Sequence, residues 1–363
     1  MTVHLQRGCD VLRVGLIGFG LAGQAFHAPT IRGTVGMELA CILERSRSLA
    51  QQKYPGVCVA RTLEELLADE TIRLVVVATP NTSHFDLARQ CMMAGRDVVV
   101  DKPFTTTTQE ARELIHIAER QKRLLAVYHN RRWDGDFATV KKLIASGTLG
   151  RLVAYESHYD RFRPQLRPSA WRERPGPGSG ILYDLGPHLI DQAMTLFGPP
   201  KSVTADVFAQ RDGAQVDDAF DLRFEYPGLR ATLRSSMLAL AARPRFLLHG
   251  MQGSFVKYGM DPQEEFLRRG EFPSSTDWGP HWGEDPEEQW GLLSVPEGNS
   301  SATKKVHTER GDYRGFYANV RDAIARGEPP AVTAKDGLRT IRAIELALES
   351  SRERCTVPWS ESD

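Results

Sequence analysis

A histidine lies four residues after an aspartate in the segment 180–191, whose sequence is GILYDLGPHLID. If a helix begins at Asp184, Pro187 lies in its first turn, where no backbone N–H is needed, and Asp184 and His188 share one face. An imidazole oriented by a carboxylate is a suitable general base near neutral pH. The alternative is an aspartate that caps the helix and a histidine half-buried between two domains. Spacing alone leaves both interpretations open.

A second candidate for proton chemistry is Lys102, which stands between Asp101 and Pro103 directly after an apolar run. Open α/β sheets place their sites at the carboxyl ends of the strands. A lysine there could donate a hydrogen bond to a reacting oxygen and stabilise the negative charge that develops on it. An ordinary surface lysine beside a turn proline also accounts for this spacing.

A glycine-rich turn follows the apolar stretch that ends at Ile17. Between a strand and a helix, the first glycine of such a turn permits the tight bend and the second lets the backbone approach a pyrophosphate. The third glycine allows the helix to pack closely on the strand. The amides at the start of the helix then hold the phosphates. The pattern predicts a dinucleotide site built on Gly18, Phe19, Gly20, Leu21, Ala22 and Gly23.

An acidic residue, Glu44, ends the second predicted strand at about the spacing expected of a ribose-binding carboxylate. Its carboxylate could accept hydrogen bonds from the adenosine hydroxyls, which favours NAD and repels a 2′-phosphate. Arg45 and Arg47 follow it, and guanidinium groups suit a phosphate, unless both are simply solvated loop charges. The sequence therefore predicts NAD(H) or NADP(H) as cofactor without deciding between them.

The elements that must position these groups begin with alternating apolar runs and helical patterns in the first third of the chain. This alternation predicts βαβ units around a parallel sheet that is covered on both faces. Strands are predicted over 11–17, 37–43, 74–78, 98–100 and 124–128, and helices over 22–32, 83–94 and 109–122. We therefore expect an α/β Rossmann domain that binds NAD(P) over residues 1–129.

The pattern changes after about residue 130. Further helices are predicted over 137–146, 313–326 and 334–353, and another predicted helix ends at Phe197. Alternating segments over 152–159, 201–210, 218–226, 230–238, 246–249 and 254–257 predict a half-exposed antiparallel sheet. Residues 259–310 are rich in Pro, Gly, Ser and Trp and predict a long surface excursion. We expect residues 130–363 to form an α+β domain with a large open, mainly antiparallel sheet for substrate binding and oligomerisation, whose last helix packs back on the first domain.

The composition is that of an ordinary globular protein, with 41% apolar and 25% charged residues. The 46 basic residues balance 46 acidic ones and are scattered along the chain, which argues against a nucleic-acid partner. No apolar run approaches the length needed to span a bilayer, and residues 1–10 lack the apolar segment of a secretory signal. We therefore expect no membrane partner and a cytoplasmic location.

Cysteines and histidines give no sign of a metal centre. The five cysteines are widely spaced and without a CxxC pair, which predicts buried thiols rather than a disulfide framework: Cys9, Cys41, Cys58, Cys91 and Cys355. The histidines lack the paired spacing of a zinc site, so no metal is expected: His27, His84, His129, His158 and His188. A serine hydrolase is disfavoured because the sequence has no GxSxG elbow.

These residues together resemble the glucose–fructose oxidoreductase, inositol dehydrogenase and rhizopine-catabolism family (Gfo/Idh/MocA), over essentially the whole chain. The ordered series Thr79-Pro80-Asn81 with His84, then Ala94-Gly95 and Asp101-Lys102-Pro103, is similar to the family's TPNxxH…AG…EKP series. The segment 184–191 is similar to its DxGxHxxD segment. Three further stretches resemble the scyllo-inositol dehydrogenase subgroup: Phe26-His27-Ala28-Pro29, the sequence VYHNRRWD over 127–134, and Trp171-Arg172.

The resemblance implies that nicotinamide lies in the cleft between the two domains, and that the second sheet forms a homodimer or homotetramer interface. Lys102 matches the family's catalytic lysine, and Asp184 and His188 match its carboxylate–imidazole pair. Besides the glycine turn, the predicted cofactor contacts are Glu44, Arg45, Thr79, Pro80, Asn81, His84, Asp101, Lys102, Asn130, Trp171 and Arg172. The predicted substrate contacts are Lys102, His129, Tyr159, Arg161 and His188. Arg163 and Trp278–Trp282 are further candidates for substrate contacts, with interface packing as the alternative.

We therefore expect reversible hydride transfer between nicotinamide and a hydroxyl or ketone of a cyclitol or sugar. His188, held in its tautomer by Asp184, would take the hydroxyl proton, and Lys102 would stabilise the oxyanion. Asp101 stands where the family usually has Glu. Glu44 stands where NADP-dependent scyllo-type relatives have small polar residues. Two alternatives stay open: a redox-assisted elimination or glycoside cleavage with recycled cofactor, and a non-catalytic dinucleotide-binding sensor.

Overall fold

The computed structural model describes residues 11–167, 169–273 and 275–360. Its first part alternates strands and helices around a parallel sheet with strand order β3-β2-β1-β4-β5-β6. The elements are β1 (Leu12–Ile17), α1 (Ala28–Arg32), β2 (Met37–Leu43), α2 (Leu49–Lys53), β3 (Cys58–Ala60), α3 (Leu63–Leu67), β4 (Leu74–Val77), α4 (His84–Met93), β5 (Asp97–Val100), α5 (Thr108–Gln121) and β6 (Leu125–Val127). The predicted Rossmann fold is confirmed.

The central strands of this sheet are buried on both faces. Every residue of β4 and of β5 is buried, which explains their unbroken valine-rich sequences. The predicted helix over 22–32 is in fact two pieces, a wide π-helical turn over Gly23–His27 that leads directly into α1. Pro29 lies in the first turn of α1, where its missing N–H costs nothing.

The second part contains α6 (Gly135–Ala145), β7 (Leu152–His158), α7 (Ile181–Phe197), β8 (Ser202–Phe208), β9 (Ala219–Tyr226), β10 (Leu229–Ser236), β11 (Phe246–Gly250), β12 (Gly253–Lys257), α8 (Gln263–Arg269), β13 (Gly291–Glu297), β14 (Ser300–Val306), α9 (Arg314–Arg326), α10 (Ala334–Glu353) and β15 (Val357–Pro358). Within the described ranges, nine strands form one sheet in the order β14-β13-β12-β11-β7-β10-β9-β8-β15. Neighbours in this second sheet are antiparallel except β7 and β10. The predicted α+β part with a mainly antiparallel sheet is confirmed.

The two faces of the second sheet differ in chemistry. On β9 the apolar side chains of Phe220, Leu222 and Phe224 are buried, whereas Arg223 and Glu225 alternate with them and are exposed. Helices α7 and α10 pack over the buried face, and α10 also contacts α5 and β6 of the first part. A hydrogen bond of 2.8 Å from the Thr108 N–H to Glu345 Oε1 joins α5 to α10. The opposite face is open.

Helix α7 begins three residues earlier than Asp184, which corrects one sequence expectation. Its first turn is held by Asp217: the Leu182 N–H donates to Asp217 Oδ2 at 2.8 Å, and the Ile181 N–H donates to the Asp217 backbone carbonyl at 2.9 Å. Pro187 therefore lies inside the helix rather than in its first turn. It lacks the N–H that would pair with the carbonyl of Tyr183, so the helix continues through this position without that hydrogen bond.

The segment 259–310 is not the surface excursion that its composition predicts. It contributes α8, β13 and β14, and Trp278 and Trp282 form a small core with Leu267 and Tyr313. Trp278 is only 4% exposed, its ring centroid lies 4.4 Å from that of Trp282, and it packs on Gly33 of the first part. A Cβ at Gly33 would come within 2.5 Å of Trp278 Cζ2, so the absence of a side chain there permits the contact. The segment is thus packed against the Rossmann sheet's first helix.

The prediction that the cysteines are buried needs correction at two positions. Cys41 and Cys91 are buried, but Cys58 and Cys355 are exposed, and all four are free thiols. Cys9 and the whole N-terminal stretch 1–10 lie outside the described residues. Over the part of the chain that the structure describes, no helix has the length and apolar character needed to cross a bilayer.

Candidate active site

Two adjoining cavities open where the carboxyl ends of the first sheet's strands meet. One, the strand-end cavity, has a volume of about 650 Å³ and lies over the ends of β1, β2 and β4. The other, the cleft, has a volume of about 270 Å³ and lies between the first sheet and the second part of the chain. Both are lined by Gly20, Ala78, Thr79 and Pro80, so they form one continuous depression. Its position is the one that open α/β sheets use for ligands.

The glycine turn fits a bound pyrophosphate. Gly18 has φ +96°, and a Cβ there would lie 2.6 Å from the carbonyl oxygen of Ala78. Gly23 packs so closely that its Cβ would meet the carbonyl oxygen of Gly18 at 2.2 Å, whereas nothing lies within 4 Å of a Cβ at Gly20. The free space is therefore at the middle glycine, where a phosphate would approach the backbone. Phe19 lines the strand-end cavity, and Leu21 and Ala22 line the cleft.

Glu44 lines the strand-end cavity, but its carboxylate faces the protein. Its Oε2 accepts a hydrogen bond of 3.0 Å from the Ala50 N–H in the first turn of α2, and its Oε1 is enclosed without a partner among the described residues. Arg45 and Arg47 line the same cavity and are exposed. The guanidinium groups of Arg45 and Arg47 are therefore accessible to a ligand here, whereas the Glu44 carboxylate is not.

The Thr79-Pro80-Asn81 turn and His84 lie at the base of the depression. Thr79 and Pro80 line both cavities. The His84 ring is buried, and its two nitrogens each lie 2.9 Å from a carbonyl oxygen, that of Pro103 and that of Thr79. Asn81 is buried too and donates from Nδ2 to the Gly178 carbonyl at 2.8 Å. Asn81 and His84 line neither cavity, and their hydrogen bonds join the surrounding loops.

Lys102 lies in the cleft at the end of β5 and reaches across to α7. Its Nζ donates to the backbone carbonyl of Asp184 at 2.6 Å and lies 3.3 Å from Asp184 Oδ1. Burial lowers the pKa of Lys102, and the nearby Asp184 carboxylate opposes that change. Asp101 accepts the N–H of Lys102 at 2.8 Å and lies 3.7 Å from the His27 ring, so its carboxylate orients this turn.

Asp184 is surrounded by three cations. Besides Lys102, Arg161 Nη1 lies 3.2 Å from its Oδ2 and Arg172 Nε lies 3.2 Å from its Oδ1. Burial raises the pKa of Asp184, but the charges of Lys102, Arg161 and Arg172 outweigh it and hold the pKa well below its usual range. The carboxylate is therefore ionised and is the common anchor of the three cations.

His188 does not form the expected pair with Asp184. The two share a helical face, but within the described residues no hydrogen bond joins them, and His188 Nδ1 is enclosed without a partner. The His188 ring lines the cleft, with its centroid 6.2 Å from that of the Tyr159 ring. Burial lowers the pKa of His188 far below its usual value, and the charges of Lys102, Arg131, His129 and Arg245 act in the same direction. The imidazole is therefore neutral.

The remaining predicted contacts divide between the cleft wall and the interior. Asn130, Tyr159, Arg161, Trp171 and Arg172 line the cleft. The guanidinium of Arg172 lies 4.4 Å above the Trp171 ring. His129 does not line it: the ring is buried, and its Nε2 lies 3.9 Å from Asp191 Oδ1. The sequence prediction of a substrate contact at His129 is therefore not supported by its position.

Sequence reasoning missed several residues that complete the cleft. Glu264 of α8 accepts a 3.0 Å hydrogen bond from the Tyr159 hydroxyl and forms an ion pair with Arg131. Arg131 in turn donates to the Tyr159 oxygen at 2.7 Å. Arg268, one turn after Glu264, also lines the cleft. The i, i+4 spacing of Glu264 and Arg268 was visible in the sequence, but nothing local tied it to this site.

The donor set suits a nicotinamide dinucleotide and does not suit a metal. The open space at Gly20 leads from the strand-end cavity, which has room for a nucleoside, into the cleft with its lysine and neutral histidine. No group of three or more His, Cys, Asp or Glu side chains able to hold a metal ion occurs among the residues that the structure describes. The cavities fit a cofactor whose phosphates lie at the glycine turn.

Comparison with known proteins agrees with this geometry. Residues 12–129 match the NAD-binding Rossmann-fold domain of the Gfo/Idh/MocA oxidoreductase family, and residues 141–358 match that family's C-terminal alpha/beta domain. The chain is 47% identical to the uncharacterized oxidoreductase YdgJ of Escherichia coli over 349 residues, 96% of this chain and 99% of YdgJ.

A curated relative and a solved structure, both from Bacillus subtilis, are also similar to it. The chain is 40% identical over 352 residues to the scyllo-inositol 2-dehydrogenase (NADP(+)) IolW, covering 97% of both chains. The solved structure of the YvaA protein superposes with a TM-score of 0.93 at 39% identity, covering 98% of this chain and 100% of YvaA. The chain belongs to the Gfo/Idh/MocA family of NAD(P)-dependent oxidoreductases.

Proposed function

We propose that this oxidoreductase acts on a CH–OH group of a cyclitol or sugar, or on the corresponding ketone. The observation that carries the proposal is the position of Lys102 and His188, which come from different parts of the chain and line one cleft next to the free space at Gly20. A polar cleft lined by Tyr159, Arg161 and Asn130 suits a polyhydroxylated ring better than an apolar alcohol. The similarity to a scyllo-inositol 2-dehydrogenase supports the same substrate class.

When bound, nicotinamide supplies the hydride acceptor or donor. In the direction of oxidation, neutral His188 accepts the proton of the substrate hydroxyl through the ring nitrogen that faces the cleft. Lys102 donates a hydrogen bond to the same oxygen as its negative charge develops. Asp184 holds Lys102 and Arg161 in place through the contacts described above, so it is a positioning residue rather than the partner of His188.

We further propose that NADP(H) binds better than NAD(H). A ribose-binding carboxylate must present an oxygen to the ligand. Here the Glu44 carboxylate is directed to the start of α2, and Arg45 and Arg47 are accessible beside it. Exposed guanidinium groups in that position suit the 2′-phosphate of NADP.

The proposal includes association through the open face of the second sheet into a homodimer or homotetramer. This face is patterned with charges of both signs, such as Arg234 with Asp221 at 2.6 Å and the exposed pair Arg223 and Glu225. Alternating charges on a flat sheet suit a symmetric interface in which each patch meets its copy. Light scattering of the wild type and of the variant Arg223→Glu would test it, since charge reversal should shift the mass toward the monomer.

The experiment that tests the catalytic proposal is a screen of cyclitols and aldoses with NAD and NADP, followed at 340 nm, where reduced nicotinamide absorbs. Reduced cofactor should accumulate in a one-to-one ratio with a ketone or lactone product. A reaction that cleaves the substrate without net cofactor reduction would instead favour redox-assisted elimination. Retention of cofactor binding with no turnover of any polyol or sugar would contradict the proposed function.

A further inference from the structure

The cleft carries more positive than negative side chains. Three carboxylates line it, those of Asp101, Asp184 and Glu264. Against them stand Lys102 and six arginines among the described residues: Arg131, Arg161, Arg163, Arg167, Arg172 and Arg268. A neutral polyol needs hydrogen-bond donors and acceptors, but it gives no reason for an excess of fixed positive charge.

Most of these cations are compensated inside the protein. Lys102 and Arg172 contact Asp184, as does Arg161. The other paired arginines are Arg131 with Asp134 at 3.0 Å, Arg167 with Glu173 at 2.8 Å and Arg268 with Glu264 at 3.0 Å. Their positions are therefore explained by contacts within the chain.

Arg163 is different. No hydrogen bond or ion pair joins its guanidinium to another side chain within residues 11–167, 169–273 and 275–360. The backbone of Arg163 is fixed, because its N–H donates to the Met237 carbonyl at 2.7 Å and its carbonyl accepts from Arg211 at 3.2 Å. The side chain is half-buried and lines the cleft.

The surroundings of Arg163 favour an anion. Burial lowers the pKa of Arg163, and the charges of Arg161, Arg167 and Arg268 lower it further, with Asp184 the acidic group that opposes them. Several guanidinium groups thus lie close together, and that of Arg163 makes no direct ion pair with a side chain among the described residues. An oxyanion placed against Arg163 would relieve this repulsion and could accept two parallel N–H bonds.

We propose that the substrate is a sugar or cyclitol that carries a carboxylate or a phosphate monoester, and that this oxyanion binds Arg163 in the cleft. The inference rests on the proposed function and refines its substrate class. The dinucleotide's own pyrophosphate is also an oxyanion. Of the charged groups near Arg163, Arg161 lies 5.5 Å from the centroid of the Tyr159 ring and Arg268 pairs with Glu264, and neither belongs to the glycine turn, so the substrate is the favoured source.

The test compares ring-matched substrates: glucose with glucuronate and glucose 6-phosphate, and myo-inositol with an inositol monophosphate. It uses the wild type, Arg163→Met and the matched control Arg120→Met, which removes an exposed arginine of α5 that does not line the cleft. We expect kcat/KM for an anionic member to exceed that of its neutral partner by about tenfold or more. Arg163→Met should raise KM for the anion about tenfold more than KM for its neutral partner, and Arg120→Met should leave both KM values and the cofactor Kd within about twofold.

The other outcomes of this test would overturn either this inference or the proposed function. Preference for the neutral members, or an equal effect of Arg163→Met on both members of a pair, would overturn the inference. A raised cofactor Kd with unchanged KM for the anion would assign Arg163 to the dinucleotide and overturn it as well. If none of the compounds is oxidised, the proposed function fails. Calorimetry on the cofactor-loaded protein then judges the inference separately, since anion binding must weaken about tenfold in Arg163→Met but not in Arg120→Met.

Discussion

The ammonium group of Lys102 donates to the backbone carbonyl of Asp184 at 2.6 Å, and the carboxylate of the same residue lies 3.3 Å away. A residue at the end of a strand in the first sheet is thereby fixed to the first turn of α7. The contact also brings Lys102 to the helix that carries His188. The arrangement of the cleft therefore depends on a polar contact between the two parts of the chain.

Replacing Lys102 with methionine keeps the length of the side chain and removes its charge. We expect kcat to fall about 100- to 1000-fold, because one donor to a developing oxyanion is lost. The cofactor Kd, measured by fluorescence titration, should change by no more than about twofold. The control is Lys141→Met, which removes an exposed lysine of α6. Equal turnover in the two variants would disprove the role of Lys102.

Asp184→Asn should destabilise the fold and impair catalysis together. It leaves Lys102, Arg161 and Arg172 without their shared carboxylate, which we expect to cost about 2 to 4 kcal/mol of unfolding free energy, allowing for the partial exposure of Arg172. Because the folded pKa of Asp184 is lowered, its contribution is complete above its ordinary pKa and is lost as the pH falls through the lowered value.

Denaturant titration of the wild type and of Asp184→Asn at several pH values measures this. The difference between them should be constant at neutral pH and shrink in acid. The charge-retaining variant Asp184→Glu should recover part of the stability. A difference that does not depend on pH down to strongly acidic solution would show that the carboxylate charge is not the cause.

The pH profile of substrate oxidation should report His188. A general base must be neutral, and the pKa of His188 is lowered well below 6.5 by burial and by surrounding cations. We therefore expect kcat/KM for oxidation to be constant from about pH 6.5 up to the pH at which Lys102 titrates. It should decrease only below about pH 6.5. His188→Ala should lose about 100- to 10,000-fold in kcat and lose the acidic limb. An acidic limb centred at pH 7 or above would contradict this assignment.

Cofactor preference should respond to Arg45. Arg45→Ala is expected to weaken NADP binding about tenfold, as a charged hydrogen bond to phosphate is lost, and to leave NAD binding within about twofold. Calorimetry with the two cofactors measures both constants directly. Glu44→Gln serves as a second variant: because its carboxylate faces Ala50, it should not strengthen NADP binding appreciably. A large gain in that variant would mean that the Glu44 carboxylate repels the phosphate.

Trp278→Ala tests the packing of the 259–310 segment on the first part of the chain. The indole is buried against Trp282 and Gly33, so its removal should cost about 3 to 5 kcal/mol. Leu240→Ala, at a position 74% exposed, should change stability by no more than about 0.5 kcal/mol. Thermal unfolding distinguishes the two. Similar melting temperatures for both variants would mean that the tryptophan contact contributes little.

Most of the fold was predictable because its signals are local. The valine runs of β4 and β5 indicate buried strands, and the alternation on β9 indicates a strand with one exposed face. The glycine turn likewise indicates a tight bend between a strand and a helix. The same patterns placed Lys102 at a strand end and Asp184 and His188 on one helical face, whereas their assignment to the site came from the family resemblance. The predicted Asp184–His188 pair was wrong because spacing on a helix fixes a shared face but not a partner. The Asp184 carboxylate instead contacts three cations that are distant from it in sequence: Lys102, Arg161 and Arg172.

The missed residues depended on tertiary packing. Glu264 and Arg268 are placed in the cleft by α8, and α8 is held by the Trp278 cluster on Gly33. A segment rich in Pro, Gly and Ser carries no periodic pattern that would show such a contact. Likewise Asp217, which holds the start of α7, precedes a strand and gives no helix signal at its own position.

The two borders of the second sheet bear on whether a further strand can add to it. At one border, β14 presents the exposed ammonium groups of Lys304 and Lys305, and at the other, β15 ends in Pro358, which has no N–H to offer. Charged side chains and proline are the features that discourage a further strand from adding to a sheet. Growth of fibres by strand addition is thereby disfavoured, and the sheet is left free to meet a second copy through its broad surface.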